Sequence, residues 1–197
     1  MALSIEKKTG YHQLNIPEKT IFAGYSVKSL LSLHEKQGSN FANQRREFFT
    51  SIGRSPKKAV FPQQEHTANV EVVAESDAAK GALENDSRIP SCDGILTTTS
   101  HLLLCIQTAD CVPLFLWDKA GTVVGLLHAG WRGTAQRILI HAVEILQHEF
   151  GINPDQLYVY AGPCIRKCCY EVGPELKDHL RSIHENQGHF FADLIEE

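Results

Sequence analysis

The sequence predicts an α/β or α+β fold, and three observations carry that expectation. Strand-like apolar runs crowd residues 94–128, helical spacing takes over just after Gly130, and a further strand and helix follow towards the C-terminus. Apolar residues make up 43% and charged residues 21% of 197 residues, a mix that can bury a core and that argues against disorder, collagen or coiled coil. Length and the lack of a repeat or low-complexity linker predict one domain over 1–197. A formal net charge of −4 gives no basic field for nucleic acid. Apolar stretches break within about 7 residues, short of the roughly 20 a membrane helix needs. The first residues lack the apolar region of an export signal, so a cytoplasmic location is expected, with no membrane partner. Oligomeric state is left open.

Residues 1–40 are weakly patterned; their main feature is the turn-like GYSVKS at 24–29. FANQRREFFTSIG, 41–53, predicts a short helix with Phe41, Phe48, Phe49 and Ile52 on or near one side. Val60-Phe61-Pro62 and Val70–Val73 predict short strands around a polar loop that holds His66, and 74–93 predicts loop. ILTTT, HLLLCI, CVPLFLW and TVVGLLH then predict four strands. From Thr134 to Phe150 the apolar residues Ile138, Leu139, Ala142, Val143, Ile145, Leu146 and Phe150 fall on one side of a helix that Gly151 can close. Leu157–Ala161 predicts a strand and 174–184 a helix.

Six cysteines without an export signal do not predict a disulfide framework. Cys105, inside LLLCI, suits a buried apolar position. The run Cys164-Ile-Arg-Lys-Cys168-Cys169 suggests thiolate ligation only weakly, because no second paired motif accompanies it. A more specific site follows from strand register. If Asp118-Lys-Ala-Gly121 centres a hairpin, Cys111 and His128 stand directly opposite on one face, with Cβ atoms roughly 4.5–5.5 Å apart. That separation suits two ligands of one metal ion, and a one-residue slip would put them on opposite faces. Pro113 requires an edge or a bulge. A third ligand must come from elsewhere, and His66 in its polar loop is the best candidate. The alternative is a core thiol beside a hydrogen-bonded strand-end histidine. The segment His128-Ala-Gly-Trp-Arg132-Gly runs into the helix, and its glycines, the helix start and the fork of Arg132 suit an anion. A tight turn with Trp131 packed and Arg132 on the surface is the competing interpretation.

Three motifs in order, Thr108-Ala-Asp-Cys-Val-Pro113, His128-Ala-Gly-Trp-Arg-Gly133, and Gly162-Pro-Cys-Ile165 with Cys169-Tyr-Glu-Val-Gly173, resemble the YfiH/laccase-domain family. That family was once called multicopper polyphenol oxidases and is now described as purine nucleoside phosphorylases. The resemblance runs from about Gly24 to the end and is strongest over 91–173. It implies a compact α/β sandwich of mixed sheets with outer helices, similar in architecture to cytotoxic-necrotizing-factor-type cysteine hydrolases. It implies zinc ligands His66, Cys111 and His128, with Gln64-Glu65-His66 matching a Gln-x-His-Gly motif in which Thr67 replaces glycine. It also implies phosphorolysis of adenosine, inosine and methylthioadenosine by inorganic phosphate, with adenosine deamination. Gln44-Arg45 stands near an Asn-Arg motif and makes Arg45 a second candidate phosphate contact beside Arg132. Family members usually run further, past an Asp-Leu pair like Asp193-Leu194, whereas this chain stops at Glu197; the expectation is that the family's tail, and pocket residues with it, is missing.

Four chemistries remain open at this point. Zinc can serve the deaminase and phosphorylase activities. Cys111 can instead act as a nucleophile with His128 as base. Copper-dependent phenol oxidation would need many histidine ligands, and no H-x-H pair occurs. A zinc-binding module without catalysis is the fourth. No residue is assigned as proton donor to the leaving purine.

Overall fold

The computed structural model describes residues 3–17, 21–27 and 39–185. In chain order the elements are β1 (Ser4–Lys8), β2 (Tyr11–Asn15), β3 (Ala23–Ser26), α1 (Ser39–Ser51), β4 (Ala59–Val60), β5 (Val70–Val72) and β6 (Gly94–Thr97). They continue with β7 (Leu103–Leu104), β8 (Val112–Asp118), β9 (Val124–Ala129), α2 (Trp131–Ala135), α3 (Ile138–Phe150), β10 (Leu157–Ala161) and α4 (Pro174–Glu185). Lys28 and Ser29 of the GYSVKS turn, the side chain of Phe41 and the pair Asp193-Leu194 lie outside the described residues.

A mixed five-stranded sheet, ordered β10-β8-β9-β6-β5, forms the centre. Its β5–β6 pair is parallel and its other pairs are antiparallel. Strand alternation sends Leu96, Leu116 and Leu127 to one face, where Ile138, Ala142 and Leu146 of α3 cover them. Those three helical residues recur every four positions, which is one stripe of a 3.6-residue helix. Each buried Ile or Leu side chain contributes roughly 1.5–3 kcal/mol of apolar transfer free energy. The opposite face carries Phe115, Trp117 and Leu126, and Leu14 and Ile16 pack on it together with the partly buried Ala23 and Tyr25 of the β1-β2-β3 sheet. A small parallel pair, β4-β7, and the buried Phe49 of α1 complete that side. This is the α/β class that the residue pattern predicts, in the mixed-sheet sandwich with outer helices that the family resemblance implies.

Three elements differ from expectation, each for a local reason. Strands β1, β2 and β3 form an antiparallel meander, in which Gly10, at φ 85°, closes β1 onto β2. The HLLLCI run yields only a two-residue strand, since His101 takes a left-handed φ of 68° and breaks the extended run. The helix expected from Thr134 is interrupted at Gln136-Arg137, where Arg137 sits at φ 64°. Two packing demands produce the break. A Cβ at Gly133 would meet the Thr67 carbonyl oxygen at 2.7 Å, so α2 is held against the His66 loop, whereas α3 lies along the sheet. Gly151, at φ 66°, ends α3 as expected.

Pro113 lies inside β8, between two neighbours, yet costs no ladder bond. His128 sends its N–H to Asp93 rather than to β8, so the Pro113–His128 pair is of the non-hydrogen-bonded kind. On the other side β10 has ended at Ala161, and Gly162 donates to the Pro113 carbonyl at 2.8 Å without needing a donor in return. Among the described residues no helix is long and apolar enough to cross a membrane.

Candidate functional site

The β8–β9 hairpin sets the site. Its register pairs Pro113 with His128 and Val112 with Ala129, and one step further brings Cys111 level with Gly130. The expected register, with Cys111 directly opposite His128, is therefore displaced by two residues. The turn causes the displacement. Asp118 closes the loop against Val123, taking the N–H groups of Thr122 at 2.6 Å and Val123 at 2.9 Å and the Thr122 hydroxyl at 2.8 Å. Gly121 supplies the left-handed residue this loop needs, at φ 70°. An even displacement preserves side-chain facing, so Cys111 and His128 still share a face, now on a diagonal. Gly130 occupies the position directly across from Cys111.

His66 completes the cluster, and the ligand atoms of His66, Cys111 and His128 all lie within 4.8 Å of one another. The rings of His66 and His128 stand edge to face with centroids 4.9 Å apart. A Cβ at Gly130 would lie 3.0 Å from His66 Cδ2 and 3.2 Å from Cys111 Sγ, so the missing side chain is what leaves room between them. Metal bonds of about 2.0–2.1 Å to nitrogen and about 2.3 Å to sulfur need ligand atoms roughly 3–4 Å apart, within a small rotamer adjustment of this arrangement. Two imidazoles and one thiol could hold a zinc ion in three positions and leave a fourth open.

Asp93, absent from the sequence-based candidates, organises the cluster. Its carboxylate is fully buried. It accepts three consecutive N–H groups, from Glu65 at 3.1 Å, His66 at 3.0 Å and Thr67 at 2.7 Å, and the Thr67 hydroxyl at 2.9 Å. The left-handed φ of 61° at His66 turns those successive amides inward around the anion. The same carboxylate lies 2.7 Å from His128 Nδ1. Burial pushes the Asp93 pKa up, but the bonds from His128, Thr67 and Glu65 outweigh it and hold the group at about 2. An ionised carboxylate only accepts, so His128 carries its proton on Nδ1 and presents Nε2 to the cluster. Asp93 is positioned by the β6–β9 pairing: Gly94 faces Leu127, and the next step brings Asp93 level with His128. The signal was Asp93-Gly94 at the end of a polar loop, and using it required a pairing between strands that are not consecutive.

The thiol of Cys111 is pushed up by burial and by the carboxylates of Asp110 and Asp93. That environment disfavours a free thiolate nucleophile, which needs positive surroundings; a bound cation would reverse the balance. The Gln64 side chain makes both a donor and an acceptor bond with the Gln107 backbone, at 2.7 and 2.8 Å, tying the His66 loop to the segment that leads to Cys111.

The two candidate phosphate contacts sit apart from this network of bonds. Arg132 is exposed on α2, its guanidinium 4.3 Å above the Trp131 ring. Arg45 is buried on α1, donates to the carbonyls of Gly81 and Ala82, and stacks 3.8 Å over Phe61. Burial, with Arg88 nearby, lowers its pKa to about 9. Arg45 also lines a cavity of about 1100 Å³ whose walls reach Thr108, Ala109 and Pro113, around but not including Cys111. Among the described residues, Cys164, Cys168 and Cys169 do not converge as a group of three ligands; the one converging group is the His-Cys-His cluster.

Comparison with known proteins gives a consistent picture. Residues 28–196 match the family model described as multi-copper polyphenol oxidoreductase laccase. The chain is similar to "Purine nucleoside phosphorylase YlmD" of Bacillus subtilis, 32% identical over 185 residues, covering 87% of this chain and 66% of that protein. It is also similar to "Adenosine deaminase RL5" of an unknown prokaryotic organism, 34% identical, covering 64% of this chain and 48% of that one. The crystal structure of YlmD from Geobacillus stearothermophilus superposes with a TM-score of 0.84 at 32% identity, over 90% of this chain and 71% of that one. The chain thus spans about half to two thirds of the length of these curated relatives.

Proposed function

The chain belongs to the multi-copper polyphenol oxidoreductase laccase family, and from that premise we propose that it is a zinc-dependent purine nucleoside phosphorylase with adenosine deaminase activity. The observation that carries the proposal is the convergence of His66, Cys111 and His128 around the space left by Gly130, with the Asp93 carboxylate fixing the His128 tautomer. One relative named a purine nucleoside phosphorylase and another named an adenosine deaminase support the substrate class, a purine nucleoside, with inorganic phosphate as the second substrate of phosphorolysis. We place the reaction in the cytoplasm, on the single laccase-like domain of residues 1–197.

When bound, zinc supplies Lewis acidity at the position its three protein ligands leave open. The chain's own residues do the rest. Asp93 keeps the proton on His128 Nδ1 and so keeps Nε2 directed at the cluster. Asp93 also holds the His66 loop, and Gln64 holds the segment before Cys111, so all three ligating atoms are pre-positioned. Arg132 is proposed to orient and partly neutralise phosphate as it attacks the anomeric carbon and the glycosidic bond breaks. Arg45 is the weaker second contact, because its guanidinium already serves two carbonyls and a ring. Copper-dependent phenol oxidation is less well supported, since the described residues assemble one cluster with two histidines and no further histidine group.

The test is a product assay on the purified, zinc-loaded chain with adenosine and phosphate. Ribose 1-phosphate and adenine report phosphorolysis, and inosine reports deamination. Cys111→Ala should abolish turnover and lower zinc content together; turnover that survives this substitution overturns the proposal. Full zinc loading without any turnover would instead favour a zinc-binding module.

A further inference from the structure

The sequence places two cysteines side by side, Cys168 and Cys169, and the fold turns both the same way. In extended chain, neighbouring side chains point to opposite sides. Here Cys169 and Tyr170 both donate their N–H groups to the Arg166 carbonyl, at 2.9 and 3.0 Å, and the resulting turn brings the two sulfurs to 3.3 Å. Both thiols are exposed. Arg166 and Lys167, also exposed, precede them in sequence, and the contact with Cys168 pushes the Cys169 thiol up. The other cysteines lack this arrangement: burial pushes the Cys92 and Cys105 thiols up to about 12, and Cys111 belongs to the histidine cluster.

The chemistry of such a pair follows from its spacing. A disulfide needs sulfurs about 2.05 Å apart and Cα atoms usually 4.4–6.8 Å apart, whereas adjacent Cα atoms are only about 3.8 Å apart. Closure is therefore strained, and the pair is suited to stay a dithiol and chelate. Sulfurs 3.3 Å apart, bonded to one ion at about 2.3 Å each, subtend roughly 90° at that ion. That angle is too narrow for tetrahedral zinc and far from the linear arrangement of two-coordinate cuprous copper. It matches the pyramidal bonding of a trivalent metalloid.

We propose that Cys168 and Cys169 form a bidentate site for trivalent arsenicals and related pyramidal thiophilic species, separate from the His66-Cys111-His128 cluster. With an organoarsenic oxide the step is a condensation: two S–H bonds and the As–O bonds break, two As–S bonds form, and one water leaves with both thiol protons. Arsenic stays trivalent and no oxidant is required. The site sits on a loop anchored beside the cluster, since Ile165 donates to the Asp110 carbonyl at 2.9 Å.

The experiment titrates the reduced, full-length chain with phenylarsine oxide. Intact mass, free-thiol counting and peptide mapping provide the readouts. The expected result is one equivalent bound, two thiols lost, the adduct mapping to the peptide that holds Cys168 and Cys169, and release by a small dithiol but not by an equal dose of monothiol. Cys168→Ser and Cys169→Ser should each weaken binding on the order of 100-fold, because the second bond is then no longer intramolecular. Cys111→Ser and Cys164→Ser should bind as the parent does. No adduct on the parent, or an adduct that persists undiminished in Cys168→Ser or maps to another peptide, overturns the assignment. Peptide mapping on the parent decides the matter even if a variant fails to fold.

Discussion

Two buried aspartates stand near the opposite ends of the β8–β9 hairpin, and they differ in where their partners come from. Asp118, at the turn, binds Thr122 and Val123, four and five residues away. Asp93, at the open end, binds Glu65, His66 and Thr67 and the ring of His128, between 26 and 35 residues away. Both carboxylates are pushed up by burial and brought below the usual range by the bonds they accept. The first ties a loop to itself; the second ties two chain segments together and fixes the proton on an imidazole. The same chemistry therefore stabilises a turn at one end and holds the His66-Cys111-His128 cluster in place at the other.

Replacing Asp93 by Asn sharpens this contrast most. An amide offers a single accepting oxygen and turns an N–H donor towards groups that are themselves donors. Metal affinity should fall roughly 10–100-fold, and stability should fall by about 3 kcal/mol, since several buried donors lose their partner. Chelator competition and urea denaturation check the two effects separately. Unchanged metal affinity would break the link between Asp93 and the cluster.

Gly130→Ala comes next. The backbone there is extended, at φ −74° and ψ 171°, so alanine brings no backbone strain. Its Cβ would crowd His66 and Cys111. We expect metal affinity to drop roughly 10-fold, the low end of what a supporting position costs, with thermal stability nearly unchanged. A large loss of stability instead would assign Gly130 to folding rather than to the cluster.

Asp118→Asn should have the smallest effect, about 1–2 kcal/mol of stability, with metal affinity unaltered. Its pKa is lowered in the folded chain, so its contribution is complete above the unfolded value of about 3.9 and disappears as pH falls through the lower folded value. The variant should therefore show a shallower loss of stability on acidification below about pH 4, measured by urea midpoints across pH. If it weakens metal binding as strongly as the Asp93 change does, the two ends of the hairpin are not distinct.

The contrast also explains what could be read in advance. His66, Cys111 and His128 were legible as a candidate set, two from strand alternation and the third from a resemblance and a polar loop. The two-residue register error was harmless only because it was even. Its source was the turn, where Asp118 side-chain bonds, rather than the centre of a four-residue stretch, select the closing pair. Asp93 was not legible, because its relation to His128 passes through the pairing of β6 with β9, and two strands intervene between them in the chain. The N-terminal meander was missed for a different reason: β1 is exposed along its whole length, so it lacks the apolar alternation by which a strand is recognised.

By itself the sequence determined the period of each strongly apolar segment, and hence the central strands, the stripe of α3 and its stop at Gly151, since these depend on local spacing and on one residue's dihedral freedom. Only the tertiary structure decided which side chains face His128, how α2 turns away from α3, and that two adjacent thiols point the same way. Those outcomes depend on contacts between distant segments, and a contact of that kind has no periodic signature along the chain.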